Sequence, residues 1–127
     1  MNSAKVIIIG AGPVGTFVAY CLAEYGIETI LLESESSCET DMRASTFHPS
    51  TLKYLDNLNL ANELIDKGLK APIFQYRIRA TDEILEFNLE ELSDVLDFPF
   101  RLQCEQYKFA RMLADKLDNH KYSSVMF

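Results

Sequence analysis

The strongest constraint on this chain lies between Lys5 and Glu33. Val6-Ile7-Ile8-Ile9 is β-branched throughout and runs straight into Gly10, which predicts a strand buried on both faces. Gly10-Ala11-Gly12-Pro13-Val14-Gly15 follows at once. Val14, Val18, Cys21, Leu22 and Tyr25 then recur at helical spacing, predicting an amphipathic helix with that stripe as its buried face. Gly26 suits a helix end that needs positive φ. Thr29-Ile30-Leu31-Leu32 reads as a second buried strand, with Glu33 at its carboxyl end.

Each residue of this pattern has a physical task. Gly10 permits the tight turn from strand to helix, Gly12 lets backbone approach a ligand with no Cβ in the way, and Gly15 lets helix pack closely on strand. The free N–H groups and dipole at the helix start favour phosphates. Glu33 lies 18 residues beyond Gly15, close to the spacing expected for the acid that accepts hydrogen bonds from a ribose. A carboxylate there also disfavours a 2′-phosphate. A Gly-x-Gly-x-x-Gly alone is a weak signal, but strand, helix, closing glycine and acid all occur here in register. The implied property is dinucleotide binding through a Rossmann-like βαβ unit.

Bulk properties narrow the setting. The chain has 127 residues, enough for one domain with a modest core. Twelve Lys and Arg against 19 Asp and Glu give a net charge of -7, which argues against nucleic acid or an anionic membrane as partner. Val6–Ile9 is too short for a membrane span and no signal peptide pattern follows, so a cytoplasmic location is expected. Cys21, Cys38 and Cys104 are too scattered for a disulfide framework; Cys21, on the apolar stripe, is expected to be a buried inert thiol. No Cys or His pair has metal-ligand spacing, so no metal is expected.

After Glu33 the alternation of strand and helix stops, unlike a plain NAD dehydrogenase. Residues 34–50 read as a polar loop, in which Arg43 follows Glu33, Glu35, Glu39 and Asp41. Arg43 fits equally a clamp on cofactor phosphates and a solvated arginine balancing local charge. From Ile73 to Leu89 the period changes to two: Phe74, Tyr76, Ile78 and Ala80, then Leu85, Phe87 and Leu89, share one face. This predicts an antiparallel hairpin with one covered side, placing Glu86 across from Arg79 or Arg77. Residues 105–117 predict a helix with Gln106, Phe109, Ala110, Leu113 and Leu117 on one stripe. Gln106 is polar on an apolar face, so it either bonds nearby backbone or contacts a cofactor. Lys121 to Phe127 predicts a further strand of the parallel sheet. His48 and His120 read as turn or surface residues, and Tyr76, Tyr107 and Tyr122 as packing residues.

Val6 through Glu33 resembles the amino terminus of the FAD-dependent aromatic hydroxylases, the para-hydroxybenzoate hydroxylase-like family of monooxygenases. Arg43-Ala44, His48-Pro49-Ser50-Thr51-Leu52 and Leu55-Asp56-Asn57-Leu58-Asn59-Leu60 match that family's next stretch, where an arginine contacting FAD precedes a short helix and a Leu-Gly-Leu-like turn. Asn59 stands where the family has glycine, and asparagine is the next best residue for a left-handed cap. The family also has a glutamine seven residues before a leucine, reaching the flavin's ribityl region; Gln106 and Leu113 keep that spacing, with Gln103 as second choice.

The resemblance implies an α/β, Rossmann-like FAD-binding domain over residues 1–127, incomplete relative to the family, with a hairpin insertion at about 73–89. It implies FAD as cofactor, held by Gly10, Gly12, Pro13, Val14, Gly15, Glu33, Arg43 and Gln106, with no catalytic side chain required. In that family NAD(P)H reduces the flavin, and O2 then supplies one oxygen atom to a small aromatic substrate. Another FAD- or NAD-dependent oxidoreductase and a non-enzymatic nucleotide-binding module are the alternatives. The family's later Asp-Gly and Gly-Asp segments do not occur before Phe127. The chain thus resembles the first third of a monooxygenase, expected to hold FAD weakly or not at all, to be inactive alone and to self-associate as a homo-oligomer.

Overall fold

The structure, a computed structural model, describes residues 5–38 and 40–127. In chain order it contains β1 (Val6–Ile9), α1 (Pro13–Glu24), β2 (Thr29–Leu32), β3 (Thr46–Phe47), α2 (Pro49–Asp56), α3 (Ala61–Ile65), β4 (Leu69–Ala71), β5 (Ile73–Ile78), β6 (Glu83–Asn88), β7 (Arg101–Gln103), α4 (Gln106–Asp118) and β8 (Ser123–Met126). Two compact units result: residues up to 43 together with 106–127, and residues 44–105.

The first unit is a parallel sheet in the order β1-β2-β8. Val6 pairs with Thr29 and Ile9 with Leu32, while Leu32 also pairs with Met126 on β8, so the strand expected after Lys121 is present. Helix α4 buries Phe109, Ala110, Leu113 and Leu117, the stripe read from sequence. The Phe109 ring meets Phe17 of α1 with centroids 5.9 Å apart. His120 serves the turn into β8, its Nδ1 accepting the Tyr122 N–H at 3.2 Å.

Two expectations about burial are corrected here. β1 is not buried on both faces, because Ile7 and Ile9 are 60% and 86% exposed. It is the edge strand, and only the face carrying Ile8 meets α1. Nor is the stripe of Val14, Val18, Cys21, Leu22 and Tyr25 the buried face of α1. The helix buries Thr16, Ala19, Tyr20 and Ala23 instead, leaving Val14 and Tyr25 exposed and Cys21 half-buried. Three of the four buried residues are small, Tyr20 being the exception; the Thr16 hydroxyl can be buried there because it donates to the Gly12 carbonyl at 2.9 Å. Partial burial pushes the Cys21 thiol pKa up, away from the reactive thiolate form.

Helix α1 ends as the glycine predicted. Gly26 has φ +72°, its N–H donates to Ala23, and Ile27 N–H reaches back to Leu22, the paired bonds of a left-handed helix end. The same device ends the short helical stretch in the second unit. Asn59 has φ +57°, donates to Asp56, and is followed by Leu60 bonding Leu55. Asparagine thus fills the glycine position without losing the turn.

In the second unit β3, β7 and β4 form an antiparallel sheet in that order, and Leu52, Leu55, Leu60, Leu64 and, on β7, Leu102 are all essentially buried. The stretch read as a polar loop therefore contains β3, whose Phe47 is buried. His48 is exposed at the start of α2 and caps nothing with its side chain. The hairpin is β5 and β6, with Phe74 opposite Phe87 and Tyr76 opposite Leu85, but the side expected to be covered is not, since Tyr76, Ile78, Leu85 and Phe87 are all exposed. Its partner for Glu86 is corrected: Gln75, not Arg77 or Arg79, stands opposite. Arg77 instead bonds the Gln75 oxygen at 2.7 and 3.0 Å, while the Gln75 amide donates to Glu86 at 2.6 Å.

Candidate dinucleotide site

The site grows from the register of β1 and β2. Because Ile9 pairs with Leu32, Gly10 N–H donates to the Leu32 carbonyl at 2.7 Å and the glycine turn begins level with Glu33. Gly10 has φ +101°, which a side chain would strain. A Cβ on Gly15 would stand 2.0 Å from the Gly10 carbonyl oxygen, so only glycine lets α1 sit this close. A Cβ on Gly12 would meet nothing within 4 Å. That space opens at the start of α1, where Pro13 occupies the first turn, no side chain caps the helix and the first turn carries no acid.

Glu33 is already ordered toward this turn. Its Oε2 accepts Ala11 N–H at 2.7 Å, while Oε1 accepts the N–H groups of Ser34 at 2.7 Å and Glu35 at 3.2 Å. These bonds, Ala11's first, hold the carboxyl below the usual carboxylate range. Each carboxylate oxygen has two lone-pair positions, so Oε2 retains one for a further donor.

Gly12, Pro13, Arg43 and Gln106 line one recess of about 180 Å³, together with Ala11, Tyr107 and Ala110. The fold thus brings four of the expected residues together from three places in the chain. Val14 stands exposed beside them, contributing backbone rather than side chain to the helix start. Arg43 is largely exposed and lies 3.7 Å from Asp41, a weak surface pair; Glu39 lies outside the described residues. Gln106 opens α4 half-buried. Gln103 is engaged elsewhere, its Oε1 accepting the Thr46 hydroxyl at 3.1 Å in the second unit. Tyr107, read from sequence as a packing residue, also lines the recess, half-buried. The available signal was its spacing of three from Ala110, which puts both on one flank of α4. Among the described residues there is no cluster of three or more His, Cys, Asp or Glu suited to a metal, and no helix is long and apolar enough to cross a membrane.

A parallel sheet, a glycine turn against an open helix start, and an acid at the next strand's end define a dinucleotide-binding α/β domain. Comparison with known proteins narrows this class. The chain belongs to the FAD binding domain family, whose profile matches residues 3–127. It is 33% identical over 89% of its length to 6-hydroxy-3-succinoylpyridine 3-monooxygenase HspB of Pseudomonas putida, spanning 29% of that protein. With para-nitrophenol 4-monooxygenase from a Pseudomonas species it shares 28% identity over 88% of its length, or 28% of the relative. The crystal structure of p-nitrophenol 4-monooxygenase PnpA from Pseudomonas putida superimposes with a TM-score of 0.85 at 26% identity, covering 94% of this chain and 30% of that one. The protein is therefore an FAD-binding domain of the kind found in flavin-dependent monooxygenases, and it spans less than a third of the length of these relatives.

Proposed function

We propose that this chain binds FAD as part of a flavin-dependent monooxygenase that uses NAD(P)H and O2 to hydroxylate a small aromatic molecule in the cytoplasm. The observation that carries the reading is the convergence of Gly12, Pro13, Arg43 and Gln106 on one recess, with the Glu33 carboxylate held by the N–H of Ala11, which also lines it. Gly12 leaves room for the pyrophosphate to approach backbone, and the uncapped start of α1 attracts its charge. Arg43 supplies a cation that forks onto phosphate oxygens. Glu33 accepts from an unmodified ribose and repels a 2′-phosphate. Gln106 presents an amide to the polyol beyond the pyrophosphate.

The recess, about 180 Å³, is below the roughly 300–1,000 Å³ of pockets that enclose a whole small ligand. It matches the pyrophosphate portion of a dinucleotide, so these 127 residues grip FAD mainly through its ADP half and hold it weakly on their own. Bound FAD would supply the redox chemistry of hydroxylation; the residues here bind and orient it. Two relatives are named for action on para-nitrophenol and a hydroxylated succinoylpyridine, which supports a small aromatic substrate. Calorimetric titration with FAD, ADP and NADP tests the reading. FAD and ADP should compete for one site with affinities within about tenfold, or 1.4 kcal/mol, and NADP should bind far more weakly. NADP binding as tightly as ADP, or FAD binding that ADP does not displace, overturns it.

A further inference from the structure

Tyr107 is the one aromatic side chain in the wall of the recess, with Gly12, Pro13, Arg43 and Gln106 around it. It is half-buried, and among the described residues its hydroxyl makes no hydrogen bond. The Gln106 amide beside it makes none either. Two adjacent, half-buried polar residues at the start of one helix thus line the recess without a hydrogen-bond partner among the described residues. One turn further along α4, the Arg111 guanidinium lies over the Tyr107 ring, 5.6 Å from its centroid, within the range of a cation–π contact. That contact fixes the ring and sets a second positive charge behind it, supplementing Arg43.

We infer that Tyr107 is a pyrophosphate-binding residue of this site, its phenol donating a hydrogen bond to a phosphate oxygen while Arg111 positions the ring. The pyrophosphate is singled out because the facing wall is Gly12 and Pro13 at the start of α1, which favours a doubly charged group over a neutral polyol or base. Tyr107 is therefore the donor that complements the helix start from the other side, and the recess is closed by residues from both α1 and α4. The inference rests on the dinucleotide reading above.

Titration of the whole chain with ADP and with adenosine separates the two ideas. If the unsubstituted chain binds neither, the dinucleotide reading fails and this inference falls with it. If it binds ADP, Tyr107→Phe, which removes only the hydroxyl, should weaken ADP about tenfold, as expected for a hydrogen bond to a charged acceptor, and leave adenosine unchanged. Arg111→Gln should weaken ADP about threefold and lessen the salt dependence of binding. A merely structural role would lower both ligands together and shift the far-UV circular dichroism melt. Unchanged ADP affinity in Tyr107→Phe, or equal loss of ADP and adenosine, overturns the assignment; flavin fluorescence of bound FAD gives the same comparison should either variant fold poorly in calorimeter conditions.

Discussion

Glu33, just past the end of β2, and Glu86, within β6, both owe their neighbours to strand register, and the two outcomes differ in kind. Glu33 accepts three backbone N–H groups, from Ala11, Ser34 and Glu35, all fixed by the path of the chain. Glu86 accepts one side-chain amide, Gln75, on the open hairpin. Backbone donors cost little further ordering once the fold exists, whereas two exposed side chains lose rotamer freedom to meet. The first arrangement therefore holds a carboxylate charged and aimed before any ligand arrives. The second adjusts the register of a hairpin and little else.

The largest effect should come from the turn that supports Glu33. Gly15→Ala places a Cβ 2.0 Å from the Gly10 carbonyl oxygen, a backbone atom that cannot swing aside, and should cost about 3 kcal/mol. A thermal melt reads this, and an unchanged midpoint would show that α1 is free to lift off β1. Glu33→Gln should come next, weakening ADP about tenfold while the fold persists. Its pH dependence has a definite sign. Because the folded-state pKa is depressed, the contribution is fully present above the ordinary carboxylate value of about 4.3 and is lost as pH falls through the lower folded value. The stability gap between the native chain and Glu33→Gln should thus be flat near neutrality and close only in acid.

Two smaller substitutions sharpen the contrast from the second unit. Asn59→Ala should cost about 1 kcal/mol because its φ is positive, whereas Asn59→Gly should be neutral or slightly stabilising; urea midpoints measure both. Glu86→Gln should change stability by no more than about 0.5 kcal/mol. A larger loss on that hairpin would mean that an exposed side-chain pair rivals the backbone cage around Glu33.

The parts legible in the sequence were those in which one residue type answers one backbone requirement. Gly10, Gly26 and Asn59 all take the positive φ that their neighbours imposed, and Gly15 occupies the close approach expected of it. Burial was less legible, because apolar residues mark a face only when something covers it. Ile7 and Ile9 on the edge strand are as apolar as Ile8 yet exposed, and α1 uses alanine and threonine where valine was expected to point inward. Strands of two or three residues, such as β3 and β7, are too short for any period to declare them. The pairing of Glu86 depended on a turn in which Ile78 faces Glu83 and Asp82 adopts φ +56°, a detail that alternation alone does not fix. Tyr107 was hidden for a related reason: its flank of α4 carries meaning only once α1 and Arg43 stand opposite.

On the proposed function, Glu33 and the glycine turn form a preset seat for the ADP half of FAD. Its most direct test is displacement of FAD by ADP, followed by flavin fluorescence on the native chain and on Glu33→Gln. ADP should displace FAD fully at one site in the native chain, and the substitution should weaken both ligands in parallel. FAD that resists ADP, or that binds Glu33→Gln as tightly as the native chain, would contradict it.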